Sequence, residues 1–271
     1  MIGALDGWVE IAEVNPPTYP NMSHLLLDGA WERVLVTDNV FGKIRVSPYA
    51  YAARLTHDVP SVRPTVVVST RDRNIRAIES EVRGALGNGV RSFLVVVGDT
   101  IPAVEHLAGQ IEIVEHLVDL QSHLGPFGVG MPIPFSREVM QQRIDFGAQF
   151  FVAGPLLDPA TVEERVERLQ LRPGDPPVIL MIIPPFSASW VERMEHVGAV
   201  AATADLKERL AALDPVSRRG FAWDQAAAAA RQAREAGCGG VVLMGLKQET
   251  VIDEAVAAWR RRFPRSERRA S

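Results

Sequence analysis

Residues 92–99 read SFLVVVGD, a continuous apolar run that ends in Gly98-Asp99. A strand with one solvent-facing side alternates apolar and polar residues, whereas this run resembles strands that are covered on both faces of a parallel sheet. The stretches TVVVS at 65–69 and VILMII at 178–183 have the same character. The sequence therefore predicts a buried parallel sheet.

Eight segments of this kind recur between turn residues. The predicted strands are Trp8–Val14, Arg33–Thr37, Thr65–Ser69, Ser92–Gly98, Phe127–Ile133, Gln149–Ala153, Val178–Ile183 and Gly240–Gly245. Between two of them, NIRAIESEVRGALGNG at 74–89 has apolar residues three and four apart and ends in glycine-rich residues that stop a helix. The same spacing predicts helices within 138–147, 161–170, 224–237 and 249–262.

Eight strands that alternate with helices in a chain of 271 residues predict an α/β fold, a single (β/α)8 TIM barrel. We assign residues 1–262 to this catalytic domain and residues 263–271 to a basic C-terminal tail. The competing doubly wound sheet lacks its usual marks, because no GxGxxG motif follows the first strand and no Walker sequence occurs.

Composition excludes several classes of protein. The net charge of −4 comes from interspersed acids and bases, which argues against a general nucleic-acid or membrane surface. One cysteine, Cys238, permits neither a disulfide framework nor a cysteine-based zinc site, and His106, His116 and His123 lack metal-ligand spacing. The cysteine count and the histidine spacing lead us to expect no bound metal. With no signal-like N-terminus and no apolar stretch of ~20 residues, we expect a cytoplasmic protein. The oligomeric state stays open, a monomer included.

The first predicted strand carries an acid at its end, in the stretch VEIAEVNPP at 9–17. Side chains alternate along a strand, so Val9, Ile11 and Glu13 share one face. If that face points into the barrel, Glu13 lies at the carboxyl end of the strand, where barrel enzymes place catalytic groups. Desolvation there would raise its pKa and make it a proton donor. Pairing with a base or with loop amides is an equally good interpretation.

A second acid, Asp99, follows the fourth predicted strand directly after Gly98. Glycine lets the backbone turn sharply, and Asp99 would then face the same barrel mouth as Glu13. The structural alternative for Asp99 is a helix cap. Two acids at two strand ends of one rim favour a catalytic interpretation more than either does alone.

Four stretches, in chain order, resemble the methylenetetrahydrofolate reductase family. They are AEVNPP at 12–17, VLVTDNVFGKIRVSP at 34–48, VVVSTRDRN at 66–74 and GVRSFLVVVGD at 89–99. Weaker likeness continues through 143–158 and 233–249. The resemblance implies a TIM barrel that reduces methylenetetrahydrofolate to methyltetrahydrofolate in one-carbon metabolism and methionine biosynthesis. It also implies that Glu13 protonates the methylene bridge and that Asp99 contacts the pterin ring.

The chain departs from this family at positions that serve its flavin. Val67, Val97 and Met131 stand where the family has a histidine, an arginine and a tyrosine, and Gly154 replaces a glutamine that contacts folate. Phosphate recognition favours a planar cation, so valine in place of arginine weighs most against FAD. We therefore predict NADH or NADPH as a hydride donor that acts directly on the folate.

Three alternatives stay open. FAD could be bound through other cations, for which Arg71, Arg73 and Lys43 are candidates. The barrel could instead bind folate or a nucleotide without catalysis, or it could be another pterin enzyme such as a methyltransferase.

Further site residues follow from their positions after predicted strands. The substrate candidates are Thr37, Asn39, Gly154, Phe186, Trp190, Lys247 and Gln248, and the cofactor candidates are Arg71, Asp72, Gly98 and Met131. Phe186 and Trp190 could stack on a flat ring, and Lys247 could meet a glutamate tail or a phosphate. Structural roles compete with each of these, namely loop fixing and helix capping for Arg71 and Asp72 and core packing for the aromatics.

Overall fold

Eight parallel strands close into a barrel and follow one another in chain order, with the first hydrogen-bonded to the eighth. A computed structural model describes residues 7–18, 31–99, 108–196, 200, 202–245 and 252–264 of the chain. The strands are β1 (Val9–Val14), β2 (Arg33–Val36), β3 (Arg63–Ser69), β4 (Ser92–Val96), β5 (Gly128–Ile133), β6 (Phe150–Leu156), β7 (Val178–Ile182) and β8 (Gly240–Leu243). The predicted single (β/α)8 barrel is confirmed.

Helices surround the barrel. Those in the described ranges are α1 (Pro48–Asp58), α2 (Ile75–Gly87), α3 (Gln110–Leu124), α4 (Arg137–Asp145), α5 (Val162–Glu167), α6 (Ala188–His196), α7 (Ala204–Ala212), α8 (Pro215–Glu235) and α9 (Ile252–Arg262). None of these described helices has both the length and the apolar character needed to cross a membrane.

The apolar runs of the strands bury alternate residues in two separate layers. Along β4, Leu94 belongs to the cluster inside the barrel, whereas Phe93 and Val95 pack in the layer between strands and helices. The inner cluster consists of Ile11, Leu35, Val67, Leu94, Phe150, Val152, Ile179 and Val242. A strand with both faces buried needs apolar residues at every position, which explains why alternation is missing from the sequence.

Several predicted boundaries differ from those in the structure. Strand β4 ends at Val96 instead of Gly98, because Gly98 has a φ of 89° and leaves the extended conformation. Strand β6 continues to Leu156, three residues beyond the predicted end, and its register with β7 is irregular there. Helix α8 begins at Pro215, nine residues before the predicted start at 224. The Asp214 carboxylate caps this start by accepting hydrogen bonds from the amides of Val216 and Ser217.

Helix α9 packs against the outer face of β1. The outward-facing Glu10 accepts a hydrogen bond of 2.9 Å from the indole N–H of Trp259 and forms an ion pair with Arg260. The ring of Trp259 stacks on Phe263 with centroids 4.9 Å apart, and Phe263 is buried. The packed body therefore includes Phe263, the residue at which the predicted basic tail begins.

Candidate functional site

The side chain of Glu13 lies on the inner face of the barrel at the carboxyl end of β1. It follows Val9 and Ile11, which pack inside the barrel, and only 9% of it is exposed. Its Oε2 accepts a hydrogen bond of 3.2 Å from the backbone N–H of Gly245, just beyond the end of β8. This hydrogen bond joins the ends of β1 and β8, the two strands that close the barrel, at the carboxyl group of Glu13.

Burial raises the pKa of Glu13 from 4.5 to about 7, although the Gly245 N–H opposes the shift by favouring the ionised form. A carboxyl group in this state exists in both protonation states near neutral pH. It can therefore donate or accept a proton, as general acid–base catalysis requires. Sequence reasoning missed Gly245 as its partner, because glycine after an apolar strand signals a turn but not the direction of its amide.

Thr37 connects the loops that follow β1 and β2. Its hydroxyl donates to the Asn15 side-chain oxygen at 2.8 Å, and its backbone N–H donates to the Val14 carbonyl at 3.0 Å. Arg45 adds a second connection by donating to the carbonyl oxygen of Pro16 at 2.8 Å. Thr37 is only 5% exposed, and its hydrogen bonds hold the start of the β1 loop directly after Glu13.

Asp99 follows β4, three strands from β1 around the ring, on the same carboxyl-terminal rim as Glu13. Its Oδ2 accepts a hydrogen bond of 2.6 Å from the backbone N–H of Phe41 in the β2 loop. The side-chain oxygen of Asn39 in that loop accepts from the N–H of Arg45 at 2.8 Å. The predicted residues Asn39 and Asp99 thus lie on loops that are joined to each other.

The side chain of Arg71 connects both of these loops through hydrogen bonds. Its guanidinium group donates to the carbonyl oxygens of Asn39, at 3.0 Å, and Asp99, at 3.1 Å, and the side chain is 4% exposed. Asp72 has a φ of 60° and a 63% exposed side chain, 3.6 Å from the Arg71 Nε. Asn74 caps α2 by accepting from the Ala77 N–H at 3.0 Å. This geometry matches the structural role that the sequence left open for Arg71.

Gly98 permits the close approach of the β3 and β4 loops. A Cβ atom at this position would lie 2.5 Å from the Ser69 hydroxyl oxygen, and the φ of 89° disfavours other residues. Gly154 is exposed at the end of β6, where a Cβ atom would lie 2.8 Å from the carbonyl oxygen of Met181. The backbone at both predicted site residues therefore requires glycine for steric reasons.

The three residues that replace flavin contacts in the resemblance occupy unlike environments. Val67 is buried within the barrel, 46% of Val97 is exposed, and Met131 packs in the outer layer between strands and helices. Because Met131 faces the helices, its side chain lies away from the barrel interior. None of these three apolar side chains can bind a phosphate.

Two of the three cations that could replace those contacts are engaged within the protein. Arg71 donates to two carbonyl groups, as described above. Arg73 forms ion pairs with the buried Asp38 and, at 3.1 Å, with Glu81. Lys43 is exposed on the β2 loop.

Two of the remaining predicted residues pack against core side chains, and two lie outside the described ranges. Phe186 packs edge-on against Trp223 with centroids 5.5 Å apart, and Trp190 packs against a separate cluster that includes Ile183 and Val191. These contacts agree with core packing, which was the structural alternative to ligand stacking for both aromatic residues. Lys247 and Gln248 lie outside the residues that the structure describes. Among the residues that the structure describes, no group of three or more His, Cys, Asp or Glu side chains could hold a metal ion.

Comparisons with known proteins agree on the barrel. No protein-family model matches the chain, and no curated protein matches it. Among solved structures, an uncharacterized protein from Clostridium thermocellum that binds two copies of 5-methyl-5,6,7,8-tetrahydrofolic acid is similar, with a TM-score of 0.60 and 12% identity over 93% of this chain and 94% of that one. A 2,3-dimethylmalate lyase of the PEP mutase/isocitrate lyase superfamily has a TM-score of 0.55 and 14% identity over 94% and 81%. At these identities the likeness establishes the fold.

Proposed function

We propose that this barrel binds a tetrahydrofolate derivative at the carboxyl end of its strands and reduces methylenetetrahydrofolate to methyltetrahydrofolate. The observation that carries the proposal is Glu13, a buried carboxyl group at the barrel mouth with a pKa of about 7. The sequence stretches around Glu13 and Asp99 support it by their resemblance to the reductase family. Further support comes from the structurally similar Clostridium thermocellum protein, which binds the methylated product of this reaction.

Glu13 supplies the proton that the reaction consumes. Near pH 7 about half of the Glu13 side chains are protonated, given a pKa of about 7. Proton transfer to one bridging nitrogen of the folate breaks its bond to the methylene carbon, which leaves an electrophilic iminium group on the other nitrogen. Hydride addition to that carbon gives the methyl group, so one proton and one hydride enter the product. The ionised Glu13 that results stabilises the cationic iminium group electrostatically.

In this proposal a nicotinamide cofactor, NADH or NADPH, would be the hydride donor to the folate, with no flavin between them. Val67, Val97 and Met131 offer no charged or hydrogen-bonding side chain where the reductase family contacts its flavin, and Arg71 and Arg73 have partners inside the protein. Buried polar contacts of a ligand are typically worth ~1–3 kcal/mol each, and more when charged. Their replacement favours a flavin-free route, in which folate and nicotinamide occupy the mouth together.

The location we propose for this enzyme is the cytoplasm. Its free Cys238 is buried, and burial raises the pKa of the thiol to about 12, which keeps it in the unreactive thiol form. A single cysteine, which cannot form a disulfide within the chain, fits the reducing cytosol.

An absorbance spectrum followed by an NADH oxidation assay tests the proposal. We expect the purified protein to be colourless and to oxidise NADH or NADPH only when methylenetetrahydrofolate is added, with a ternary-complex kinetic pattern. A yellow, flavin-loaded protein with ping-pong kinetics would favour the FAD-dependent alternative. Intact binding of 5-methyltetrahydrofolate without turnover would favour a folate-binding barrel that is not an enzyme.

A further inference from the structure

Exposed apolar side chains are concentrated on the two loops that Arg71 joins. Five large hydrophobic side chains are markedly exposed in the described ranges. Phe41 and Ile44 lie in the β2 loop and Val97 lies directly after β4, whereas Ile111 and Val216 lie on the helices α3 and α8. Phe41 is 62% exposed. Folding alone does not favour an exposed aromatic ring on a residue whose backbone binds a carboxylate at the barrel mouth.

The backbone at Phe41 is held in an unfavourable conformation. Phe41 has a φ of 54°, in the left-handed region that bulky residues rarely adopt, and Asn39 has a φ of 44°. Such strain persists only where the surroundings enforce it, and it is concentrated at functional sites. The Phe41 ring is mostly exposed, so burial of the ring does not compensate for the strain.

Hydrogen bonds from three loops enforce this conformation. The Phe41 N–H donates to the Asp99 carboxylate at 2.6 Å, and Arg71 donates to the carbonyl oxygens of both Asn39 and Asp99. The backbone of Phe41 and the carboxylate of Asp99 are therefore fixed to each other. A carboxylate has about four acceptor positions, so the bond from Phe41, the one that the described residues make to this carboxylate, leaves capacity for a ligand.

We propose that Phe41 is a stacking platform for a flat nitrogen heterocycle whose edge donates hydrogen bonds to Asp99. This inference rests on the proposed function, which supplies two such rings, the pterin of the folate and the nicotinamide of the hydride donor. Both combine a planar face for the phenyl ring with N–H donors for the carboxylate. Phe41 thus determines the affinity for one of the two reactants.

Separate titrations of the wild-type protein and Phe41 variants with 5-methyltetrahydrofolate and with NADH test this assignment. Stacking on an aromatic side chain is worth enough that Phe41→Ala should weaken the binding of one ligand by roughly 10-fold. Weaker folate binding would assign the pterin to Phe41, and weaker NADH binding would assign the nicotinamide. Phe41→Tyr should retain the wild-type affinity for both.

Phe41→Gly separates ligand binding from a structural role. Glycine adopts a φ of 54° without strain, so this variant should have a melting temperature at or above that of the wild type while it loses the same affinity. Val216→Ala, at an exposed apolar position of α8, is the matched control and should change neither affinity.

Two results would overturn the inference. Unchanged affinities of Phe41→Ala for both ligands, in a wild-type background that binds them, would remove the stacking role and leave the proposed function intact. A wild-type protein that binds neither ligand would instead contradict the proposed function itself, and the role of Phe41 with it.

Discussion

Two glutamates of β1 show how a position in the strand determines the chemistry of a side chain. Glu10 faces outward and is paired with Trp259 and Arg260, whereas Glu13 faces inward and is enclosed at the barrel mouth. The sequence could predict this difference because side chains alternate faces with a period of two. It could not predict the N–H of Gly245 as partner, since that contact joins residues at opposite ends of the chain.

The raised pKa of Glu13 predicts a pH dependence of stability. An unfolded glutamate ionises near pH 4.5, but the folded protein holds the proton until about pH 7, so ionisation penalises the folded state as pH rises between these values. A shift of this size corresponds to at most about 3 kcal/mol. Glu13→Gln removes this penalty. The melting temperature of the variant relative to the wild type should therefore be higher at pH 8 than at pH 5.

Thermal unfolding of both proteins at a series of pH values measures this difference. Glu10→Gln is the matched control, because Glu10 lies on the same strand but faces the helices. A difference between Glu13→Gln and wild type that stays constant from pH 5 to pH 8 would mean that Glu13 titrates normally.

At the scale of elements, the strands were predictable and several helices were not. Apolar runs of four to six residues identify a strand that is buried on both faces, and all eight were found. Helices α1, α6 and α7 were missed. Such helices are stabilised by packing against the barrel, and a local sequence pattern does not reveal that packing.

The loops after β2, β3 and β4 depend on one buried side chain. Arg71→Ala should remove both hydrogen bonds of the guanidinium group, although the Asn39 carbonyl keeps the bond from the Gly42 N–H, and reduce the free energy of unfolding by roughly 2–3 kcal/mol. Chemical denaturation measures the loss. Because the same carbonyl groups belong to the rim, the variant should also bind folate more weakly.

Arg76→Ala is the control for this element, since Arg76 is an exposed residue of α2 only five positions away. Substitutions at such surface positions usually change stability by less than about 0.5 kcal/mol. Equal stability of the two variants would show that the Arg71 hydrogen bonds contribute little to the loops.

For the whole molecule, closure of the barrel assembles a site from distant parts of the sequence. Parallel strands direct all their carboxyl ends to one rim, so the loops after β1, β2, β4 and β8 meet there although they span most of the chain. That the two acids share this rim was predictable from strand positions alone. The network of Arg71 was not, because it depends on backbone carbonyl groups that have no signature in the sequence.

Similar barrels share this framework at 11–14% identity, because many sets of apolar side chains can fill the two layers equally well. The framework therefore carries little information about the reaction. In the proposed function, the chemistry depends on rim residues, above all Glu13 and Asp99.

In the proposed reaction, Glu13 donates a proton to the folate bridge. The most direct measurement compares the turnover of methylenetetrahydrofolate by wild type, Glu13→Gln and the Glu10→Gln control between pH 6 and pH 9. We expect the wild-type rate to fall as pH rises through about 7, because the protonated form is the active one. Glu13→Gln should lose about 100-fold or more in rate while it still binds 5-methyltetrahydrofolate. Full-speed reduction by Glu13→Gln would contradict the account.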